Sequence, residues 1–176
     1  PAAMRLTPSV ALVSRLPLVV PAQPMKDFPH GIELPQGSRD AARFTRAPLH
    51  AIVQVSPDVS VDVVVVHLKS RRPDYRTGDT GEDPALYALA CLRSLIRRGT
   101  EAAALRVLVT EMGRANRRPR VVLGDFNDVA DSVTTGIVLG AGAPMADRLY
   151  DANEVQRRVD HARHIGFSCV HEGHYS

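Results

Sequence analysis

The sequence predicts an α/β domain, and three observations lead to this prediction. Residues 59–68 are rich in valine and apolar on both faces of a strand, which is typical of a strand inside a covered sheet. An apolar pattern with helical period begins at Pro84. A short apolar run, residues 120–123, follows that helix. The order strand, helix, strand favours layered α/β packing.

The elements that precede the valine-rich strand are shorter. Residues 10–20 form an apolar run that is broken by Pro17, and they predict two short strand pieces joined at a bend. Residues 21–46 are rich in proline, glycine and charge, and predict a long surface loop with room for a short edge strand around Ile32 and Leu34. Residues 50–55 alternate weakly and predict another strand.

The predicted helix carries an apolar stripe with arginines on its other side. Pro84 suits the first turn, Gly99 either kinks or interrupts the helix, and residues 114–119 end it. The stripe consists of Leu86, Leu89, Ala90, Leu92, Leu95, Ile96, Leu105, Leu108, Val109 and Met112. Cys91 lies on it and is predicted to be a buried packing residue. Farther along, residues 132–145 are rich in small side chains, and residues 150–163 have a modest helical pattern.

Composition narrows the classes of function. Hydrophobic residues make up 44% of the 176 residues, which is enough for a sizeable core and argues against intrinsic disorder. A net charge of +3 without tryptophan does not identify a nucleic-acid binder. No apolar run approaches the roughly 20 residues that a transmembrane helix needs. The two cysteines exclude a disulfide framework and a four-cysteine zinc site within this chain.

Two of the predicted strands end in polar residues that can carry chemistry. One strand runs into His67, and the other runs into the sequence GDFND, residues 124–128. Ligands of α/β sheets gather where strands end, so both tails are well placed for a shared cleft. In extended backbone Asp125 and Asn127 would point to the same side, where a carboxylate and an amide suit a hard cation and a phosphate. Protonated His67 can donate to negative charge on a phosphate.

Other charged residues near these strand ends are weaker candidates. Lys69 lies two residues past His67 and is predicted to contact an anionic substrate. The pairs Arg71-Arg72 and Arg117-Arg118 either contact phosphates or form a solvated face. The GDFND sequence also has a purely structural interpretation, as a turn in which its polar side chains bond the backbone. A histidine that ends a strand is likewise often a structural residue.

The segments VVVVHLKS and VVLGDFND, residues 63–70 and 121–128, together resemble the endonuclease/exonuclease/phosphatase superfamily. These are metal-dependent phosphoesterases related to pancreatic deoxyribonuclease and neutral sphingomyelinase. The resemblance implies a partial four-layer α/β sandwich, with two packed mixed sheets flanked by helices. It further implies that His67 binds the scissile phosphate, that Asp125 orients or activates water, and that Asn127 assists phosphate or metal binding. The implied cofactor is Mg²⁺, with Mn²⁺ as an alternative.

Two features of that superfamily have no counterpart here. Its metal-binding glutamate has no match, because Glu33 lies in a loop rich in proline and glycine, and its Ser-Asp-His motif is missing. We therefore expect residues 1–176 to be a single domain of this type, a fragment without the N-terminal strands and the C-terminal Ser-Asp-His region. The sequence shows no signal peptide and leaves the cellular location open.

Three hypotheses about function follow. The first is metal-dependent hydrolysis of a phosphate ester by in-line attack of water, on a nucleic acid, a phospholipid or a sugar phosphate. The second is an inactive binding or scaffold relative of the same fold. The third is an unrelated α/β protein. The small charge and the lack of tryptophan disfavour a nucleic-acid substrate slightly.

The C-terminal segment has its own candidates. Four histidines are spaced so that one helical turn would align each pair, which permits zinc binding, although a solvated surface segment is the commoner outcome. They are His161, His164, His171 and His174. Cys169 is predicted to be a packing residue in a strand.

Overall fold

The computed structural model describes residues 3–7, 10–35, 41–144 and 147–163. These residues form strands β1 (Ala3–Thr7), β2 (Val10–Ser14), β3 (Leu18–Pro24), β4 (Leu49–Ser56), β5 (Val59–His67) and β6 (Arg120–Asp125). They also form helices α1 (Pro84–Ala115), α2 (Val133–Leu139) and α3 (Ala152–Arg163). None of these helices is both long enough and apolar enough to cross a membrane.

One mixed sheet organises the described residues. Its strand order is β3-β4-β5-β6, with antiparallel pairing at the first two contacts and parallel pairing between β5 and β6. The crossover between the two parallel strands contains α1. Strand β5 lies inside the sheet and its residues 62–66 are buried, as its apolar side chains on both faces predicted. The mixed α/β class is therefore confirmed.

Each face of the sheet is covered by a different layer. The helices cover one face, where Val64 and Val66 of β5 belong to the same buried cluster as Leu105 of α1 and Val138 of α2. The antiparallel pair β1-β2 covers the other face, and Val10 of that pair joins a second buried cluster. The described residues thus form three layers. The four-layer sandwich with two packed mixed sheets stays a prediction.

The segment predicted as a surface loop, residues 21–46, contributes to the core. Its first residues belong to β3, and the remainder buries Phe28, Leu34 and Phe44 in the cluster on the helix side. The rings of Phe28 and Phe44 meet edge to face, with their centroids 4.9 Å apart. No strand forms at Ile32 or Leu34. Burial of these apolar side chains explains why the described part of this segment packs into the core although its sequence has no period.

The second half of helix α1 buries Leu105 and Val109 of the predicted stripe, and the first half differs from the prediction. The helix runs without a break through Gly99, and its N-cap is Asp83, whose carboxylate accepts hydrogen bonds from two backbone N–H groups of the first turn. Four large side chains of the predicted stripe are 37–52% exposed, namely Leu89, Leu92, Leu95 and Ile96. The first half of the helix instead buries the small residues Ala90 and Ser94, and Cys91 is only half-buried.

Strand β6 was predicted as a buried strand, and this was wrong. It is the last strand of the sheet in the part of the chain described, and Val121 and Leu123 are 44% and 41% exposed. The segment of small residues that follows forms α2, which the sequence analysis did not predict. The helical pattern at residues 150–163 is confirmed by α3.

The C-terminal candidates fall largely beyond this description. His161 lies in α3. The other three histidines of the predicted zinc site, His164, His171 and His174, lie outside the described residues, as does Cys169.

Candidate active site

Parallel pairing brings the two predicted strand tails together. His67, the last residue of β5, is the register partner of Asp125, the last residue of β6. Their side chains are neighbours, with His67 Nε2 lying 3.6 Å from Asp125 Oδ2. Both side chains are partly exposed, at 35% and 45%. A histidine and a carboxylate therefore meet at one edge of the sheet.

The close approach of β6 to β5 depends on Gly124. Its φ of 123° is one that residues with a side chain rarely adopt, and a Cβ here would lie 2.9 Å from the Val66 nitrogen and closer still to the Val66 carbonyl oxygen. Gly124 is also the register partner of Val66. Glycine at this position therefore allows the backbones of β5 and β6 to approach each other closely.

Asp125 and Asn127 are joined by a tight turn. The backbone N–H of Asn127 donates to Asp125 Oδ1 at 2.8 Å, and Asn127 has a positive φ of 52°. Asn127 Nδ2 donates to the Leu68 carbonyl at 2.8 Å. The prediction that Asp125 and Asn127 lie in extended backbone is wrong, because β6 ends at Asp125. The alternative prediction, a turn in which polar side chains bond the backbone, describes these hydrogen bonds. With Nδ2 engaged, the remaining amide atom Oδ1 is an acceptor, which suits water or a metal ion.

A cavity of about 600 Å³ opens beside these strand ends, and we call it the strand-end cavity. It is lined by Arg46, His67, Ser70, Arg71, Arg72, Asn127, Asp128 and Val129. Three of these residues are arginines, whose guanidinium groups favour anionic ligands. The arginine pair at residues 71 and 72 was an open candidate for phosphate contact, and both members line the cavity.

Arg46 is a lining residue that the sequence analysis missed. It comes from the loop before β4, and its Nη1 donates to the carbonyl oxygens of His67, at 3.2 Å, and Leu68, at 2.8 Å. The Leu68 carbonyl accepts from Asn127 as well. Arg46 thus holds the end of β5 from the loop side, and no local pattern in the sequence marks this role.

Asp128 joins three segments beneath the cavity. Its side chain is only 2% exposed and accepts hydrogen bonds from Arg71, Arg98 and Thr134, as well as from the Val129 backbone N–H at 3.0 Å. Burial by itself would raise the pKa of Asp128, but the hydrogen bonds from Thr134 and the two arginines outweigh it and hold that pKa well below its ordinary range. Asp128 is therefore ionised at neutral pH and ties the loop after β5 to α1 and α2.

A buried carboxylate of α1 joins the loop that contains Arg46 to the end of β5. Glu101 is 1% exposed, and its two oxygens accept hydrogen bonds from the backbone N–H groups of Thr45 and Lys69, each at 2.8 Å. These amides lie next to Arg46 and Leu68 in the chain. Glu101 consequently fixes the loop and the strand end relative to each other.

The Lys69 side chain lies away from the cavity. Its Nζ donates to the carbonyl oxygens of Ser70, at 3.1 Å, and Arg72, at 3.0 Å, and lies 3.4 Å from Ser94 Oγ. Burial lowers the pKa of Lys69, although Asp74 and Glu101 oppose that effect. The substrate-binding role of Lys69 stays a prediction, and the position of its ammonium group does not favour it.

A second polar cluster lies outside the cavity. The fully buried carboxylate of Asp62 is 2.8 Å from His50 Nε2 and accepts a hydrogen bond from Arg118 Nε at 3.0 Å. Burial raises the pKa of Asp62, but the hydrogen bonds from Arg118 and His50 outweigh this effect and lower it below its ordinary value of 3.8. In the predicted arginine pair Arg117-Arg118, Arg118 therefore forms an ion pair with a buried carboxylate of the sheet.

The residues present do not make a complete metal site. In the ranges that the structure describes, no group of three His, Cys, Asp or Glu side chains is placed to hold a metal ion. Asp125 and Asn127 offer one carboxylate and one amide oxygen, whereas Mg²⁺ takes six oxygen ligands in octahedral geometry and relies on one or two carboxylates. The requirement for Mg²⁺ or Mn²⁺ stays a prediction.

Comparison with known proteins gives one similarity. No family model and no curated protein matches the sequence. Among solved structures, the chain is similar to sphingomyelinase C from Streptomyces griseocarneus, with a TM-score of 0.45 and 16% sequence identity. The similarity covers 76% of this chain and 39% of that one, so the chain spans about two fifths of that enzyme's length.

Proposed function

We propose that this domain binds a phosphate ester in the strand-end cavity and hydrolyses it with water. The observation that carries the proposal is that three arginines line the same cavity as His67, whose Nε2 lies 3.6 Å from the carboxylate of Asp125. Guanidinium groups recognise phosphate through paired donors in a fixed plane. A histidine and a carboxylate beside them supply groups that can donate and accept protons.

In the proposed reaction, a water molecule attacks phosphorus in line with the leaving ester oxygen. Asp125 orients the water and accepts its proton as the new P–O bond forms. Protonated His67 donates to a phosphoryl oxygen, where negative charge builds up. The ester P–O bond breaks, and the leaving oxygen takes a proton from solvent. Asn127 accepts a hydrogen bond from the water through Oδ1, since its Nδ2 is bonded to Leu68.

A second candidate function is binding of a phosphate ester without turnover. It is favoured by the turn that engages Asp125 Oδ1, and by the incomplete set of metal ligands among the described residues. The arginines would serve both functions equally. The two candidates therefore differ in turnover, and not in affinity.

Two measurements on the full chain distinguish hydrolysis from binding without turnover. Turnover of p-nitrophenyl phosphate and bis(p-nitrophenyl) phosphate is measured with Mg²⁺, with Mn²⁺ and with EDTA, and binding of phenyl phosphate is measured by calorimetry. We expect His67→Ala to lower turnover at least about a hundredfold. His30→Ala, which alters a histidine outside the cavity lining, is the matched control. Binding without turnover would favour the second candidate, and absence of both would refute the proposal.

A further inference from the structure

We infer that the strand-end cavity selects a phosphomonoester, which carries two negative charges, over a phosphodiester, which carries one. This inference rests on the proposed function and names the substrate class of the same site. It starts from the balance of charge around the cavity.

Two arginines of the cavity have no acidic partner in the part of the chain that the structure describes. Among the described residues, no carboxylate lies within ion-pair distance of Arg46 or Arg72, although both line the cavity. The hydrogen bonds that Arg46 makes go to backbone carbonyl groups, which carry no net charge. Two positive charges in one cavity are thus left without a compensating side chain.

The remaining charges of the site do not supply that compensation. The carboxylate of Asp128 is shared between Arg71 and Arg98, which together exceed its charge by one. Asp125 adds one negative charge next to His67. Counted together, the four guanidinium groups and the two carboxylates leave a net charge of +2, to which the protonated His67 of the proposed reaction adds one more.

A ligand of charge −2 compensates the unpaired guanidinium groups of Arg46 and Arg72, whereas a monoanion leaves one of them uncompensated. Arg72 is exposed, whereas Arg46 is partly withdrawn from water, so an uncompensated charge at Arg46 is screened less than it would be at an open surface. A volume of about 600 Å³ also exceeds what a bare phosphate fills, so the cavity has room for part of the ester group. The ligand that fits both size and charge is an organic phosphomonoester.

The test compares two ligands that differ by one methyl group and one charge. Binding of phenyl phosphate and of methyl phenyl phosphate to the full chain is measured by calorimetry at pH 8 in EDTA. We expect phenyl phosphate to bind at least about tenfold more tightly. Arg72→Gln should reduce this preference to about threefold or less, because it removes one uncompensated charge. Arg76→Gln is the matched control, since Arg76 is exposed in the same loop and does not line the cavity.

Two further outcomes separate this inference from the proposed function. Equal affinity for the two ligands would overturn the selection of a monoester while leaving phosphate binding intact. Failure of both to bind would refute the proposed function itself. A short oligonucleotide, measured with and without a 5′-phosphate, distinguishes a terminal monoester from two neighbouring diesters. Binding that does not depend on the 5′-phosphate would contradict the inference.

Discussion

Replacing Gly124 by alanine tests whether close backbone approach positions the proposed active site. A Cβ at this residue would lie 2.9 Å from the Val66 nitrogen and closer still to the Val66 carbonyl oxygen, and neither backbone atom can rotate away. The φ of 123° adds strain, because residues with a side chain rarely adopt it. Strain and overpacking each cost about 1–3 kcal/mol, so we expect the free energy of unfolding to fall by about 2–6 kcal/mol.

The same change should also displace Asp125. A shift of about 1 Å at the end of β6 relieves the contact with Val66, and a misplacement of that size lowers turnover about a hundredfold. Urea denaturation gives the stability, and p-nitrophenyl phosphate hydrolysis gives the activity. Gly99→Ala is the control, because a Cβ there meets nothing within 4 Å and should stabilise α1 by about 0.5–1 kcal/mol. An unchanged unfolding midpoint and unchanged turnover in Gly124→Ala would refute this reasoning.

Two further predictions concern buried carboxylates. Because the pKa of Asp62 is lowered on folding, its stabilising contribution is complete well above 3.8 and is lost as the pH falls below that value. Urea unfolding between pH 7 and pH 3 should therefore show a smaller loss of stability in Asp62→Asn than in the wild type. The same dependence of the free energy of unfolding on pH in both proteins would contradict this. Glu101→Gln replaces an oxygen that accepts from a backbone N–H by an amide donor, and it should cost about 1–3 kcal/mol in urea denaturation. Glu111→Gln, at an exposed position of the same helix, should change stability by less than about 0.5 kcal/mol, and equal effects of the two would contradict the role of Glu101 in fixing the loop to the strand end.

The parts of the fold that the sequence predicted are those with a strong local pattern. The valines of β5 occupy both strand faces, and this alone indicates an interior strand. The prediction of a shared cleft followed from the rule that ligands of α/β sheets gather where strands end, and the parallel pairing of β5 with β6 places His67 beside Asp125.

The parts that it did not predict depend on contacts between distant residues. Arg46 bonds a carbonyl 21 residues away, and the carboxylate of Glu101 reaches an amide 56 residues away, so no periodic pattern marks either one. In the second half of α1 the predicted apolar side chains Leu105 and Val109 are buried, whereas in the first half the buried residues are the small Ala90 and Ser94. The exposure of β6 follows from its place at the edge of the sheet, which depends on the neighbours of the strand.

The most direct test of the account is the turnover of phosphate esters by Asp125→Asn. Asparagine keeps the size of the side chain and the oxygen that accepts from the Asn127 backbone, but it removes the carboxylate beside His67. We predict that hydrolysis falls at least about a hundredfold while calorimetric binding of phenyl phosphate is retained. Asp131→Asn, at an exposed position after the turn, should leave both unchanged. Wild-type turnover in Asp125→Asn would contradict the claim that the paired ends of β5 and β6 form an active site.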